Sequence, residues 1–147
     1  MKRAFLLGAV ALMVVRAAAF EAIAQPVDRK VVNAFLAKDA KGEPATTFSA
    51  DVLNIYLIWK GERLQAGDEI RVVWIAEDIG SAGPTESKIG ERSIIVRAPN
   101  DDGSCFVSRP HDRVWPVGKY RTEIYIGKRL DKVVRFTIHP GVNVEVH

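Results

Sequence analysis

Apolar and polar positions alternate along most of this chain, and its opening stretch is the exception. Residues 4–15 carry no charge, Lys2 and Arg3 stand before them, and small residues follow at 17–19 and 22–24. A basic start, a short apolar core and an Ala-x-Ala exit form the pattern of a secretory signal. The run is too short for the roughly 20 residues of a membrane-spanning helix, and Arg16 stops its extension. The other way to use such a run is an amphipathic or buried first helix. The expected cut follows Ala24, with a cut after Ala19 as the second option. No cysteine follows either cut to take a lipid anchor.

Beyond the leader the first segment is ambiguous. Val27, Val31, Val32, Phe35 and Leu36 fit one helix face, while residues 31–36 equally fit a strand. The β character of the later segments favours the strand. Residues 54–59 are rich in branched and aromatic side chains. In residues 69–76, Ile70, Val72 and Trp74 share one face and Arg71, Val73 and Ile75 the other. A strand apolar on both faces belongs inside a sheet. Residues 77–92 hold three glycines and a proline and read as a long connection, the kind that is either functional or mobile. Residues 93–98 and 104–108 flank the turn signal Asp102-Gly103 and predict a hairpin. A loop over 109–117 contains Trp115. Residues 119–126 and 132–139 are strands joined by a turn that begins at Gly127.

About seven strands, turns every 8–12 residues or so and no clear helix predict an all-β antiparallel sandwich. The expected organisation is a signal peptide over 1–24, an N-terminal segment over 25–45 that is first strand or linker, and the sandwich over 46–147.

Charge changes the picture once the leader is set aside. The whole chain has 21 Lys+Arg and 18 Asp+Glu. The leader holds three of those bases and one of those acids, so the remainder is close to neutral. The apparent basicity is then no argument for nucleic acid. Within the remainder, residues 39–91 hold ten acids and five bases, and residues 105–135 hold eight bases and three acids. Alternation from Tyr120 points Arg121, Glu123 and Tyr125 outward. A solvated face paired with the acidic half is one outcome. A basic, aromatic-bearing face formed by Trp115, Arg121, Tyr125, Lys128 and Arg129 is the other, suited to an acidic protein or an anionic polymer. Trp115 is either an exposed anchor or an apolar lid on the sandwich edge.

The run Trp115-Pro116-Val117-Gly118-Lys119-Tyr120, followed by an alternating strand, a Gly127-Lys128 turn and Phe136-Thr137-Ile138, resembles the C-terminal hairpin of secreted bacterial immunoglobulin-like modules. The resemblance covers about 25 residues well. It implies an immunoglobulin-like β-sandwich, with Tyr120 as the tyrosine-corner residue and Trp74 as the core aromatic. The inter-sheet cysteine pair of antibody domains is missing. The resemblance transfers no catalytic residues, because such modules are usually non-enzymatic parts of the cell envelope.

Candidate chemistry is sparse. Cys105 is the single cysteine, so no disulfide can form within the chain. It reads as a small buried hydrophobe, with an intermolecular disulfide or a reactive thiol as the alternatives. His111, His139 and His147 show no metal-ligand spacing. A Cys105–His111 nucleophile pair needs contact that spacing does not guarantee. No catalytic residue, metal or cofactor is expected. The expected function is a non-catalytic binding or accessory module, bacterial and periplasmic or secreted, with a cell-envelope protein or anionic polymer as partner. The alternative is a small secreted enzyme or enzyme inhibitor using the 77–92 loop.

Overall fold

A computed structural model describes residues 29–141. The leader, Val27 and His147 lie outside the described residues. The described residues form eight strands in chain order: β1 Val31–Ala37, β2 Thr47–Ser49, β3 Asn54–Glu62, β4 Glu69–Asp78, β5 Ser87–Ile95, β6 Asp102–Ser108, β7 Gly118–Ile126 and β8 Arg129–His139. They make two sheets, β1-β3-β6 and β2-β8-β7-β4-β5. This is the immunoglobulin-like β-sandwich, with β1-β3-β6 standing as strands A-B-E and β8-β7-β4-β5 as G-F-C-C′. All pairings are antiparallel except the short β2, which runs parallel to β8.

The alternation of side chains builds the core directly. Val32, Ala34 and Leu36 of β1, Ile55, Leu57 and Trp59 of β3, and Ile70, Val72, Trp74 and Ala76 of β4 turn inward and are buried. Tyr120, Ile124 and Ile126 of β7 and Phe136 and Ile138 of β8 complete the packing. The aromatic rings lock together. Phe136 stacks on Tyr120 at 5.2 Å and meets Phe48 and Trp74 edge-on at 5.7 and 6.4 Å. Such pairs add about 0.5–1.5 kcal/mol each beyond the area they bury.

Two expectations change. First, residues 77–92 are not one long loop. β4 runs to Asp78 and β5 starts at Ser87, leaving a connection over 79–86 with a short 3-10 turn at Gly80–Ala82. Gly90 gave a loop signal for another reason. It sits in mid-strand opposite Trp74, where an added Cβ would lie 3.2 Å from Val107 and 3.4 Å from Trp74. Second, β5 and β6 are not a hairpin. β5 pairs with β4 and β6 with β3. The chain crosses between sheets over 96–101, held at one end by Val96 N–H on Asp68 O and at the other by Gly61 N–H on Asp101 O. The segment 25–45, expected as first strand or linker, contributes the strand β1, which pairs with β3 along its whole length.

Candidate functional site

The five-stranded sheet presents its outer face through Arg71, Val73 and Ile75 of β4 and Arg121, Glu123 and Tyr125 of β7. Val73 and Ile75 are nevertheless buried, because long side chains lie over them. Lys88 and Arg71 both pair with Glu91, at 2.8 and 3.2 Å. The Arg71 guanidinium lies 4.2 Å above the centre of the Tyr125 ring. Tyr125 donates its hydroxyl to Glu123 at 2.9 Å. Arg121 then reaches Glu123 at 3.0 Å, Glu77 at 3.4 Å and Glu86, and Arg135 reaches Glu77 at 3.4 Å. The hydrogen bond to Glu86, together with that to Glu123, raises the Arg121 pKa further and keeps it charged.

Four cations and four carboxylates make up this lattice. Two bases of the C-terminal third, Arg121 and Arg135, are paired here with Glu77 and Glu86 of the preceding third. Arg121 and Tyr125 do point outward, but into partners of their own.

The remaining members of the expected basic face separate. Trp115 is 3% exposed. Its indole N–H donates to Val52 O and its backbone N–H to Ala50 O, both at 2.8 Å, and its ring meets Tyr120 edge-on at 6.4 Å. Trp115 is therefore a lid on the end of the sandwich and offers no anchor to a partner. Arg129 pairs with Asp131 at 2.8 Å and donates to Lys30 O at 2.7 Å. Asp131 accepts the Val32 N–H at 2.8 Å, so this pair clips β8 to β1. Lys128 is exposed in the turn after β7. Tyr120 donates its hydroxyl to Pro116 O at 2.6 Å, closing the tyrosine corner, and Trp74 is fully buried in the core.

Cys105 faces inward from β6 and packs against the core. Burial pushes its thiol up to about 11, which opposes the thiolate a nucleophile needs. His111 stands out in solvent beside Asp112 at 2.7 Å, and the His139 ring nitrogen Nδ1 lies 2.9 Å from Pro140 O. Among the described residues no three metal-ligating side chains come together, and no helix is long and apolar enough to cross a membrane.

The outer face of β1-β3-β6 differs in kind. Register places Phe35 beside Ile58 and Ile58 beside Ser104, then Ala37 beside Tyr56 and Tyr56 beside Phe106. Phe35, Tyr56 and Ile58 are half-buried and Phe106 is 41% exposed. The Tyr56 and Phe106 rings lie 5.3 Å apart. Asn33, Lys60 and Asp102 form a polar rim at one end. A shallow groove of about 630 Å³ lies there, lined by Phe35, Ile58, Lys60 and Asp102 among others. This patch escaped the sequence reading. Its signal was that β3 is apolar at Tyr56 and Ile58 as well as at Ile55, Leu57 and Trp59.

No family model and no curated protein matches the chain. Among solved structures, an immunoglobulin-like protein from Pseudomonas aeruginosa is similar at 15% identity and a TM-score of 0.49, over 76% of this chain and 97% of that one. A β-glucosidase from Listeria innocua is similar at 10% identity and a TM-score of 0.49, over 77% of this chain. A β-glucosidase from Bifidobacterium adolescentis is similar at 12% identity and a TM-score of 0.41, over 80% of this chain. The chain spans only 16% and 19% of those two enzymes. Glucosidase chemistry does not transfer at such identity and coverage.

Proposed function

We propose that the chain is an exported, non-catalytic protein-binding module of the bacterial cell envelope, acting through the outer face of β1-β3-β6. The observation that carries this is the solvent-facing row of Phe35, Ile58, Tyr56 and Phe106 with its polar rim. An apolar centre with aromatic side chains and a polar edge is the anatomy of a protein-recognition patch. The opposite outer face supports the choice by contrast, since Arg71, Lys88, Arg121 and Arg135 there already pair with carboxylates. An anionic polymer would have to break those pairs to bind there, at the cost of leaving carboxylates unpaired.

The test is capture of a stoichiometric partner from an envelope extract by residues 25–147 in high salt. Tyr56→Glu with Phe106→Glu is expected to lower capture by about tenfold or more, with circular dichroism unchanged. Lys128→Glu serves as the surface control and leaves capture as it was. Undiminished capture by the double variant, or loss with Lys128→Glu alone, sinks the proposal.

A further inference from the structure

A sandwich of two open sheets has four edges, and three of these are closed by devices visible in the structure. β2 is only three residues long. β1 is covered: Asp131 takes the Val32 N–H, Arg129 takes Lys30 O, and the Ala45 N–H takes Leu36 O. β5 carries Lys88, Glu91 and Arg92 and is broken by a bulge opposite Trp74 and Ile75. Short length, cover, charge and bulges are the means by which proteins keep edges from pairing.

β6 uses them only at its first residue, the charged Asp102, whose N–H is taken by Asp101 Oδ1 at 3.0 Å. From Gly103 to Ser108 it has no charge and no proline, and its pairing to β3 runs without a bulge. Among the described residues β3 is its one strand neighbour. The bonds Gly61 N–H to Asp101 O and Arg109 N–H to Leu53 O fix which residues face β3. Alternation then aims the backbone groups of Gly103, Cys105 and Val107 at β3, and those of Asp102, Ser104, Phe106 and Ser108 outward. An open groove of about 650 Å³ runs beside Gly103 and Ser104.

We propose that two copies of this chain pair through β6, antiparallel, joining their three-stranded sheets into one of six strands. Three observations select a second copy as the occupant. The outward backbone groups are self-complementary when the strand is reversed: Ser104 of each copy falls opposite Phe106 of the other, and the Asp102 carbonyl falls opposite the Ser108 N–H. The charges complement as well, because the same register sets Asp101 of one copy against Arg109 of the other. The aromatic side chains also meet. Phe106 of the two copies become diagonal neighbours on the outer face, each already beside Tyr56, within reach for aromatic contact.

Full overlap of the seven residues centres the two-fold axis on Cys105. It then faces itself in a non-hydrogen-bonded pair, where Cα atoms lie about 4.5 Å apart, within the range a disulfide accepts. The pairing does not need the bond, but the bond reports the register.

Sedimentation equilibrium of residues 25–147 under reducing conditions, at tens of micromolar, is expected to show a dimer. Ser104→Pro removes an N–H that β3 does not use and places a ring on the edge. It is expected to weaken the dimer about tenfold or more. Arg109→Glu sets acid against acid and is expected to weaken it several-fold, more so at low salt. Diamide, which takes two electrons and two protons from a thiol pair, is expected to link the wild type through Cys105 and to leave Ser104→Pro monomeric. Cys105→Ser keeps the non-covalent dimer. A wild-type monomer overturns the proposal. Protected Ser104 and Phe106 amides in that monomer would mean that the chain's own residues cover the edge, and exchanging amides that no second copy does. A dimer indifferent to both substitutions, or one without the Cys105 link, overturns it equally.

Discussion

Thr122 lies fully buried on the inner face of β7, opposite Trp74, and neither its hydroxyl nor the Trp74 indole N–H has a hydrogen-bond partner among the described residues. A desolvated hydroxyl without a partner costs about 1–3 kcal/mol. Thr122→Val replaces it with a methyl of nearly the same shape. Unfolding in urea is expected to show a gain of about 1 kcal/mol. Tyr120 is the opposite case, since its hydroxyl is well used. Tyr120→Phe is expected to cost about 1–2 kcal/mol by the same assay, because Pro116 O loses its donor. Equal stability of that variant would show that the corner bond contributes nothing. Trp74 and Tyr120 were legible from alternation and from the Gly-x-Tyr spacing. The fate of Trp115 was not, because loop burial depends on where Ala50 and Val52 lie in the fold. The partners of Arg121 were equally hidden: alternation turns it outward but cannot say that Glu77 and Glu86 wait there.

Among the elements, the corner before β7 leaves its glycine no room against backbone. A Cβ on Gly118 would fall 2.2 Å from Asp78 O, where the β4–β7 register shifts between Ala76 and Asp78. Gly118→Ala must push the two strands apart and is expected to cost about 1–3 kcal/mol, read as a lower urea midpoint with an unchanged m-value. Recovery of the wild-type midpoint would show that the corner yields. The strands over 54–59, 69–76, 119–126 and 132–139 were readable, since each is half or wholly apolar with glycine or proline at its ends. β5 was not. It is an edge strand with most side chains exposed, so its composition is that of a loop. The hairpin signal at Asp102-Gly103 lies wholly within β6. A Cβ there would meet the Trp59 ring at 2.9 Å, so close packing requires the glycine.

For the whole molecule, stability should fall on the alkaline side. Burial raises Cys105 from 9.0 to about 11 and Tyr120 from 10.0 to about 12. In both cases the unfolded chain ionises first, so the stabilisation is complete below the unfolded pKa and is lost as pH rises through the folded one. The melting temperature is expected to decline from about pH 9, with Cys105→Ser removing the lower part of the decline. A flat profile to pH 12 or so would contradict this. The sandwich was legible at this scale because turn spacing and alternation are local. The distribution of charge was legible only as two halves. The pairing of Arg121 and Arg135 with Glu77 and Glu86 on one sheet face arises from the β4–β7 and β7–β8 pairings, which join distant stretches of chain.

That long-range pairing also sets the order in which the molecule can be made. β4–β5 and β7–β8 are neighbours in sequence and can close as hairpins, but neither has a core alone. The three-stranded sheet waits for residue 108, β4 waits for β7, and Thr47 waits for Thr137. Closing such loops is slow. A growing chain therefore holds nothing compact enough to jam a narrow channel until β8 has been synthesised. Under the proposed export, it would be threaded as an extended polymer and acquire its shape only on the far side.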